Sequence, residues 1–185
     1  MSKFLKLLRI EQWVKNLFVF TPIFFSGNVM HIDLTLKSLF AFLVFSFTAS
    51  SIYILNDYTD IESDKKHPEK CKRPLASGAI SKTAAKIIFV LLILSVVLLV
   101  FFGADYFHKN FTKFSIIIAS YFFMNIAYTF KLKHVAIIDV SIIALGFVFR
   151  VLAVVLSCCF LNGFEKIVNG TCVFSERSVI FGRIF

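Results

Sequence analysis

The chain has 185 residues, of which 58% are hydrophobic and 25 are Phe, and its mean hydropathy is +0.84. That is too apolar for an ordinary soluble domain, a disordered segment or a coiled coil, and it leaves an all-α, polytopic membrane helix bundle. The formal charge of +9 fits cytoplasmic loops and anionic headgroups rather than nucleic acid, because no basic face with interleaved aromatics stands outside the apolar runs.

Residues 4–14 repeat apolar side chains at helical spacing, with Lys6, Arg9 and Lys15 on the polar side. They predict an interfacial amphipathic helix with Trp13 at headgroup level. A first apolar span over about residues 17–30 contains Pro22. It is short for a crossing and is expected to continue the preceding helix. Further spans are expected at about 36–55, 87–104, 114–130 and 135–156, about five transmembrane helices in all. The N-terminal segment and the loops after the second and fourth spans carry thirteen basic residues, while the opposite loops carry only Lys37, Lys109 and Lys113. The positive-inside rule then places the N-terminus and both basic loops in the cytoplasm of a multi-pass inner (plasma) membrane protein.

Cys71, Cys158, Cys159 and Cys172 form no C-x-x-C pair, so neither a zinc site nor a disulfide framework is indicated. Residues 1–156 read as one transmembrane domain. Residues 157–185 lose the helical apolar pattern and read as a divergent tail.

The densest polar signal lies at the end of the second span, Asn56-Asp57-Tyr58-Thr59-Asp60-Ile61-Glu62-Ser63-Asp64. On one continuous helix Asp57, Asp60 and Asp64 would share a face. Stacked carboxylates repel, and a helix C-terminus already carries negative carbonyl dipoles. A positive partner is needed, and a hard divalent cation such as Mg²⁺ takes such oxygens and bridges them to phosphate. The alternative is a solvated acidic loop neutralised by Lys65, Lys66 and Lys70. Its weakness is that Asn56 and Asp57 abut an apolar span, where polar groups face a protein cavity rather than lipid. A basic stretch follows, His67-Pro68-Glu69-Lys70-Cys71-Lys72-Arg73-Pro74-Leu75-Ala76-Ser77-Gly78. Arg73 can fork onto a phosphate and Lys70 can add point charge, while Ser77-Gly78 shapes a turn.

Asn56-Asp57-x-x-Asp60-x-x-x-Asp64, followed by His67-Pro68-x-Lys70-x-x-Arg73-Pro74-Leu75-Ala76-Ser77-Gly78, resembles the first aspartate-rich motif of the UbiA-type intramembrane prenyltransferase superfamily. Gln12-Trp13-Val14-Lys15-Asn16 and Tyr128-x-x-Lys131-Leu132-Lys133-His134, with Asp139 and Arg150 beyond, resemble its decaprenyl-phosphate phosphoribosyltransferase branch. The resemblance covers about residues 9–154.

It implies a ring of about nine transmembrane helices, of which this chain would supply the N-terminal part, around a cytoplasm-facing cavity. It implies Mg²⁺-dependent transfer of 5-phosphoribose from phosphoribosyl diphosphate to a polyprenyl phosphate, in the service of cell-wall synthesis. Asp57, Asp60 and Asp64 would then be the catalytic and metal-holding residues. Lys15, Asn56, Lys70, Arg73, Tyr128, Lys131 and Lys133 would bind substrate. The runner-up is a polyprenyltransferase acting on an aromatic acceptor, and a third reading is a non-catalytic membrane fragment. A homo-oligomer is left open. Loss of the pattern near Val155 raises the expectation of a truncated or frameshifted member, whose cavity would lack part of its wall. Asp139 and Arg150, inside the fifth span, are expected in a site or an ion pair. Tyr121 and Asn125 are expected in helix–helix hydrogen bonds, and the Phe residues in lipid.

Overall fold

A computed structural model describes residues 3–27, 29–107, 111–132 and 136–157. The tail over 158–185 and Lys133 lie outside the described residues. Every regular element among the described residues is helical: α1 (Lys3–Leu8), a 3₁₀ segment (Ile10–Phe20), α2 (Thr21–Phe25), α3 (Ile32–Thr59), α4 (Ile61–Lys65), a 3₁₀ turn (Lys70–Lys72), α5 (Lys82–Phe107), α6 (Phe111–Ala127), a π turn (Tyr128–Leu132) and α7 (Ala136–Ser157). Among the described residues, three helical stretches, Ile32–Thr59, Lys82–Gly103 and Thr112–Phe130, are long and apolar enough to cross a membrane, and Val140–Val155 is a shorter apolar stretch.

The N-terminal segment departs from expectation. No single amphipathic helix covers residues 4–14. The chain turns at Arg9, whose φ of 49° is left-handed, so that Leu7 enters a small apolar core while Arg9 faces α3. The first span is 3₁₀ followed by α2, not a continuation of one α-helix. It runs antiparallel to α3: Arg9 meets Asp57, Trp13 meets Ser50, Asn16 meets Ser46 and Phe20 meets Phe42. A 3₁₀ helix rises about 2.0 Å per residue against about 1.5 Å in an α-helix. Residues 10–25 thus reach about 30 Å, close to the hydrocarbon thickness.

α3 is the central element, packing against the N-terminal segment and against α5, α6 and α7. Its most apolar stretch is 61% buried, against 11% for that of α5. In lipid, apolar burial gives helices little reason to associate, so close packing and internal hydrogen bonds must do it. α3 supplies both. Small buried residues (Ser38, Ala41, Ser46, Ala49, Ser50, Ser51) allow close approach. The Ser38, Thr48 and Ser51 hydroxyls donate to α3's own carbonyls at 2.7–2.9 Å, so their burial leaves nothing unpaired.

The main core gathers Val19, Val44, Phe45, Phe114, Ile117 and Val154. Phe45 and Phe114 are fully buried, so the aromatic content is not all lipid-facing bulk. Trp13 is likewise drawn inward: its Nε1 donates to Ser50 Oγ at 3.0 Å and its ring packs on Phe42 and Phe47. A second, smaller core of Leu7, Ile54, Ile61, Leu75, Ile80 and Ala85 lies at the end of α3. It ties α1, α4, the 66–81 loop and α5 into one rim, and the site is built on that rim.

Candidate functional site

α3 ends at Thr59, and Asp60 sits at the break before α4, with φ −98° and ψ 7°. The three aspartates therefore do not stack on one helix face. Asp57 closes α3, Asp64 belongs to α4, and Asp60 occupies the junction, half-buried. The break lets α4 turn back, so that Asp57 and Asp64, 2% and 3% exposed, converge on one guanidinium. Arg73 Nη1 lies 2.7 Å from Asp64 Oδ2 and 3.3 Å from Asp57 Oδ1.

Local structure explains why Arg73 arrives there. After it, Ser77 N donates to the Arg73 carbonyl at 2.9 Å and Ile80 N to the Pro74 carbonyl at 3.1 Å. Gly78 takes φ +73°, a left-handed conformation that glycine adopts without penalty. Leu75 and Ile80 then drop into the small core. The Pro74–Ile80 turn is thereby pinned, and the Arg73 side chain reaches back over the carboxylates.

A second arginine completes the cluster, and the motif reading missed it. Arg9 Nη2 donates to Asp57 Oδ1 at 2.5 Å, and its guanidinium lies 4.9 Å from the Tyr53 ring centroid. Arg9 and Arg73, each about one quarter exposed, thus stand over two buried carboxylates. Only its helical spacing with Lys6 and Lys15 marked Arg9 in the sequence, and that spacing suggested a headgroup contact. Thr129, also unmarked, donates to Asn56 Oδ1 and brings the π turn Tyr128–Leu132 to the end of α3. The N-terminal segment, the loop after α3 and the turn after α6, the three basic segments, therefore share one face.

The other expected residues are more scattered. Lys70 and Lys15 are exposed, and the ion pairs of Asp57 and Asp64 run to Arg9 and Arg73 instead. Tyr128 and Lys131 belong to the π turn. Glu62 is on the solvent side; the hydrogen bond from Lys65, at 3.0 Å, holds its carboxyl below the usual range.

Arg150 is not part of this cluster. It is 6% exposed, and its Nε donates to Asn16 Oδ1 at 2.8 Å, Nη1 to the Gly146 carbonyl at 2.6 Å and Nη2 to Tyr121 Oη at 3.2 Å. Asn16 in turn donates to Ser46 Oγ at 3.0 Å. This node joins the N-terminal segment to α3, α6 and α7. Tyr121 makes the interhelical bond expected of it, whereas Asn125 Nδ2 donates within α6, to the Tyr121 carbonyl.

The donor chemistry fits a hard divalent cation: two buried carboxylates already share one cationic group. Their geometry is a pair rather than a triad, since no three metal-ligating side chains converge among the described residues.

Residues 17–164 match the UbiA prenyltransferase family. The decaprenyl-phosphate phosphoribosyltransferase of Mycolicibacterium smegmatis is 35% identical over 157 residues, covering 82% of this chain and 47% of that protein. A protein of the same name from Corynebacterium glutamicum is 34% identical over 151 residues, covering 80% and 44%. Nodulation protein NoeC of Azorhizobium caulinodans is 32% identical over 147 residues, covering 78% and 45%. The chain spans about half the length of these curated relatives.

Proposed function

The chain belongs to the UbiA prenyltransferase family, and from that premise we propose that it forms the donor side of a membrane transferase moving 5-phosphoribose from phosphoribosyl diphosphate to a polyprenyl phosphate. The observation that carries the reading is Arg73 bridging buried Asp57 and Asp64 under a basic loop. Such a cluster suits a diphosphate that brings its own divalent cation. The names of the relatives supply the donor and acceptor classes.

In this reading Asp57, Asp60 and Asp64 would hold Mg²⁺, which would supply charge neutralisation at the diphosphate. Arg73, Lys15, Lys70, Tyr128, Lys131 and Lys133 would bind the phosphorylated substrates, and Asn56 fixes the end of α3 through Thr129. An acceptor phosphate oxygen bonds to the ribosyl C1 as the C1–O bond to the diphosphate breaks, and diphosphate leaves with the electron pair. Negative charge grows on the leaving group, so fixed cations there stabilise the transition state more than the ground state. The acceptor is already an anion and needs no strong general base. Its tail has apolar surface close by: an open groove of about 380 Å³ lined by Thr48, Val96, Val100, Ile118 and Phe122. Thr48 stands nine residues before Asp57 on α3, about 13 Å along the axis. The basic face is the cytoplasmic face of the inner membrane, by the positive-inside bias.

The test is label transfer in nanodiscs containing polyprenyl phosphate. Label should move from phosphoribosyl diphosphate only with Mg²⁺, and Asp57→Ala should abolish it. Transfer from a polyprenyl diphosphate to an aromatic acid instead would select the runner-up. Transfer from neither donor would select a non-catalytic chain.

A further inference from the structure

The rim holds four charged groups in direct contact: Arg9 on Asp57 at 2.5 Å, and Arg73 on Asp57 at 3.3 Å and on Asp64 at 2.7 Å. Both carboxylates are almost completely buried, while both guanidiniums keep about a quarter of their surface in solvent. The cations are therefore the movable partners and the anions the fixed ones. The two arginines also come from separate elements. Arg9 follows α1 at a left-handed turn, and Arg73 sits in the loop before α5.

Resting on the transferase reading, we infer that Arg9 is a second diphosphate-binding arginine, and that Asp57 and Asp64 exchange Arg9 and Arg73 for a divalent cation as the two guanidiniums turn onto the diphosphate. Asp57 Oδ1 carries both arginines and Asp64 Oδ2 carries Arg73, so a divalent cation taken up on those two oxygens displaces guanidinium contacts. Counting these four groups, the buried cluster is neutral as it stands. A divalent cation alone would leave uncompensated positive charge, and a diphosphate alone uncompensated negative charge, in surroundings that screen both poorly. Arriving together they nearly cancel, and each guanidinium trades one charge-assisted partner for another. Metal and diphosphate binding are then one coupled event, and the cluster resists either ligand by itself.

The experiment measures binding, without turnover, on the full chain in nanodiscs. Mn²⁺ is followed by its paramagnetic resonance and inorganic diphosphate by calorimetry, each alone and together. Trp13 is the only Trp, is seated four residues beyond Arg9, and reports by its emission whether the segment stays docked. In the unmodified chain, diphosphate should tighten Mn²⁺ binding by about tenfold or more. Arg9→Gln should move the two affinities in opposite directions: Mn²⁺ alone binds about fivefold or more tighter, and diphosphate about tenfold weaker. If Trp13 emission shifts in Arg9→Gln, Arg9→Lys carries the test, since it keeps the charge and loses the fork. It should weaken diphosphate while leaving Trp13 in place. An Arg9 variant that leaves Mn²⁺ affinity unchanged or lowers it overturns the exchange and leaves the transferase reading intact. An unmodified chain that binds neither Mn²⁺ nor diphosphate overturns both.

Discussion

Arg73 and Arg150 are both guanidiniums inside the same bundle, and their surroundings are opposite. Arg73 lies at the rim, partly exposed, between two buried carboxylates that neutralise it. Arg150 lies in the bundle interior, and the partners found for it are neutral: an asparagine oxygen, a backbone carbonyl and a tyrosine hydroxyl. The Phe45, Tyr121 and Phe147 rings also lie 5.3–6.0 Å from its charge. A charge held by charges can be exchanged for another ion. A charge held by dipoles and ring faces has no equivalent replacement, and it works as a fastener. The difference predicts separable phenotypes, with function lost at one arginine and architecture at the other.

The largest effect should come from breaking the fastener. Arg150→Leu leaves Asn16 Oδ1 and Tyr121 Oη without the donor they share and should destabilise the bundle by about 2–4 kcal/mol, at about 1–3 kcal/mol for each buried polar group left unsatisfied. Denaturant titration followed by Trp13 emission measures it, and the fraction still folded should bind diphosphate within about twofold of the unmodified chain. Arg73→Lys, which keeps a cation on Asp57 and Asp64 but loses the fork, should show the reverse profile. Diphosphate affinity should fall by about tenfold or more, while the unfolding midpoint moves less than in Arg150→Leu. Equal stability losses in the two variants would erase the distinction. Ser46→Ala removes only the acceptor for Asn16 Nδ2 and should cost about 1–2 kcal/mol, a partial copy of the Arg150 phenotype. Lys65→Ala opens an exposed pair with Glu62 and should stay within about 0.5 kcal/mol, with diphosphate affinity unchanged.

The two arginines were also unequally legible. Arg73 stands nine residues after Asp64 in a stretch dense with charge, so one-dimensional spacing could place it near phosphate. Arg150 was marked as a buried charge within a span, but its partner Asn16 lies 134 residues away. The side chain of Asp139, the other charge in that span, lies outside the described residues. Arg9 looked like one of several lysines and arginines on an amphipathic face; its partner Asp57 is 48 residues on. Helical spacing on a single helix also misplaced Asp60, because nothing in the i, i+3, i+7 pattern reveals that α3 stops at Thr59. Trp13 was read as a headgroup anchor because an indole suits an interface, but Ser50 offers its Nε1 a partner inside the protein.

The sequence by itself determined the class of the protein, four of its apolar spans, the shared basic face and the aspartate-rich rim with Arg73. Hydropathy runs, charge bias and short motifs are properties of neighbouring residues, so they survive in one dimension. Only the tertiary structure decided that residues 10–20 are 3₁₀ rather than α-helical, that Asp57 and Asp64 converge while Asp60 marks the break, and that Arg9 and Arg150 hold the N-terminal segment against α3 and α7. Those choices depend on which polar groups meet through space at a given depth of the bundle, where every buried donor must find an acceptor on another element.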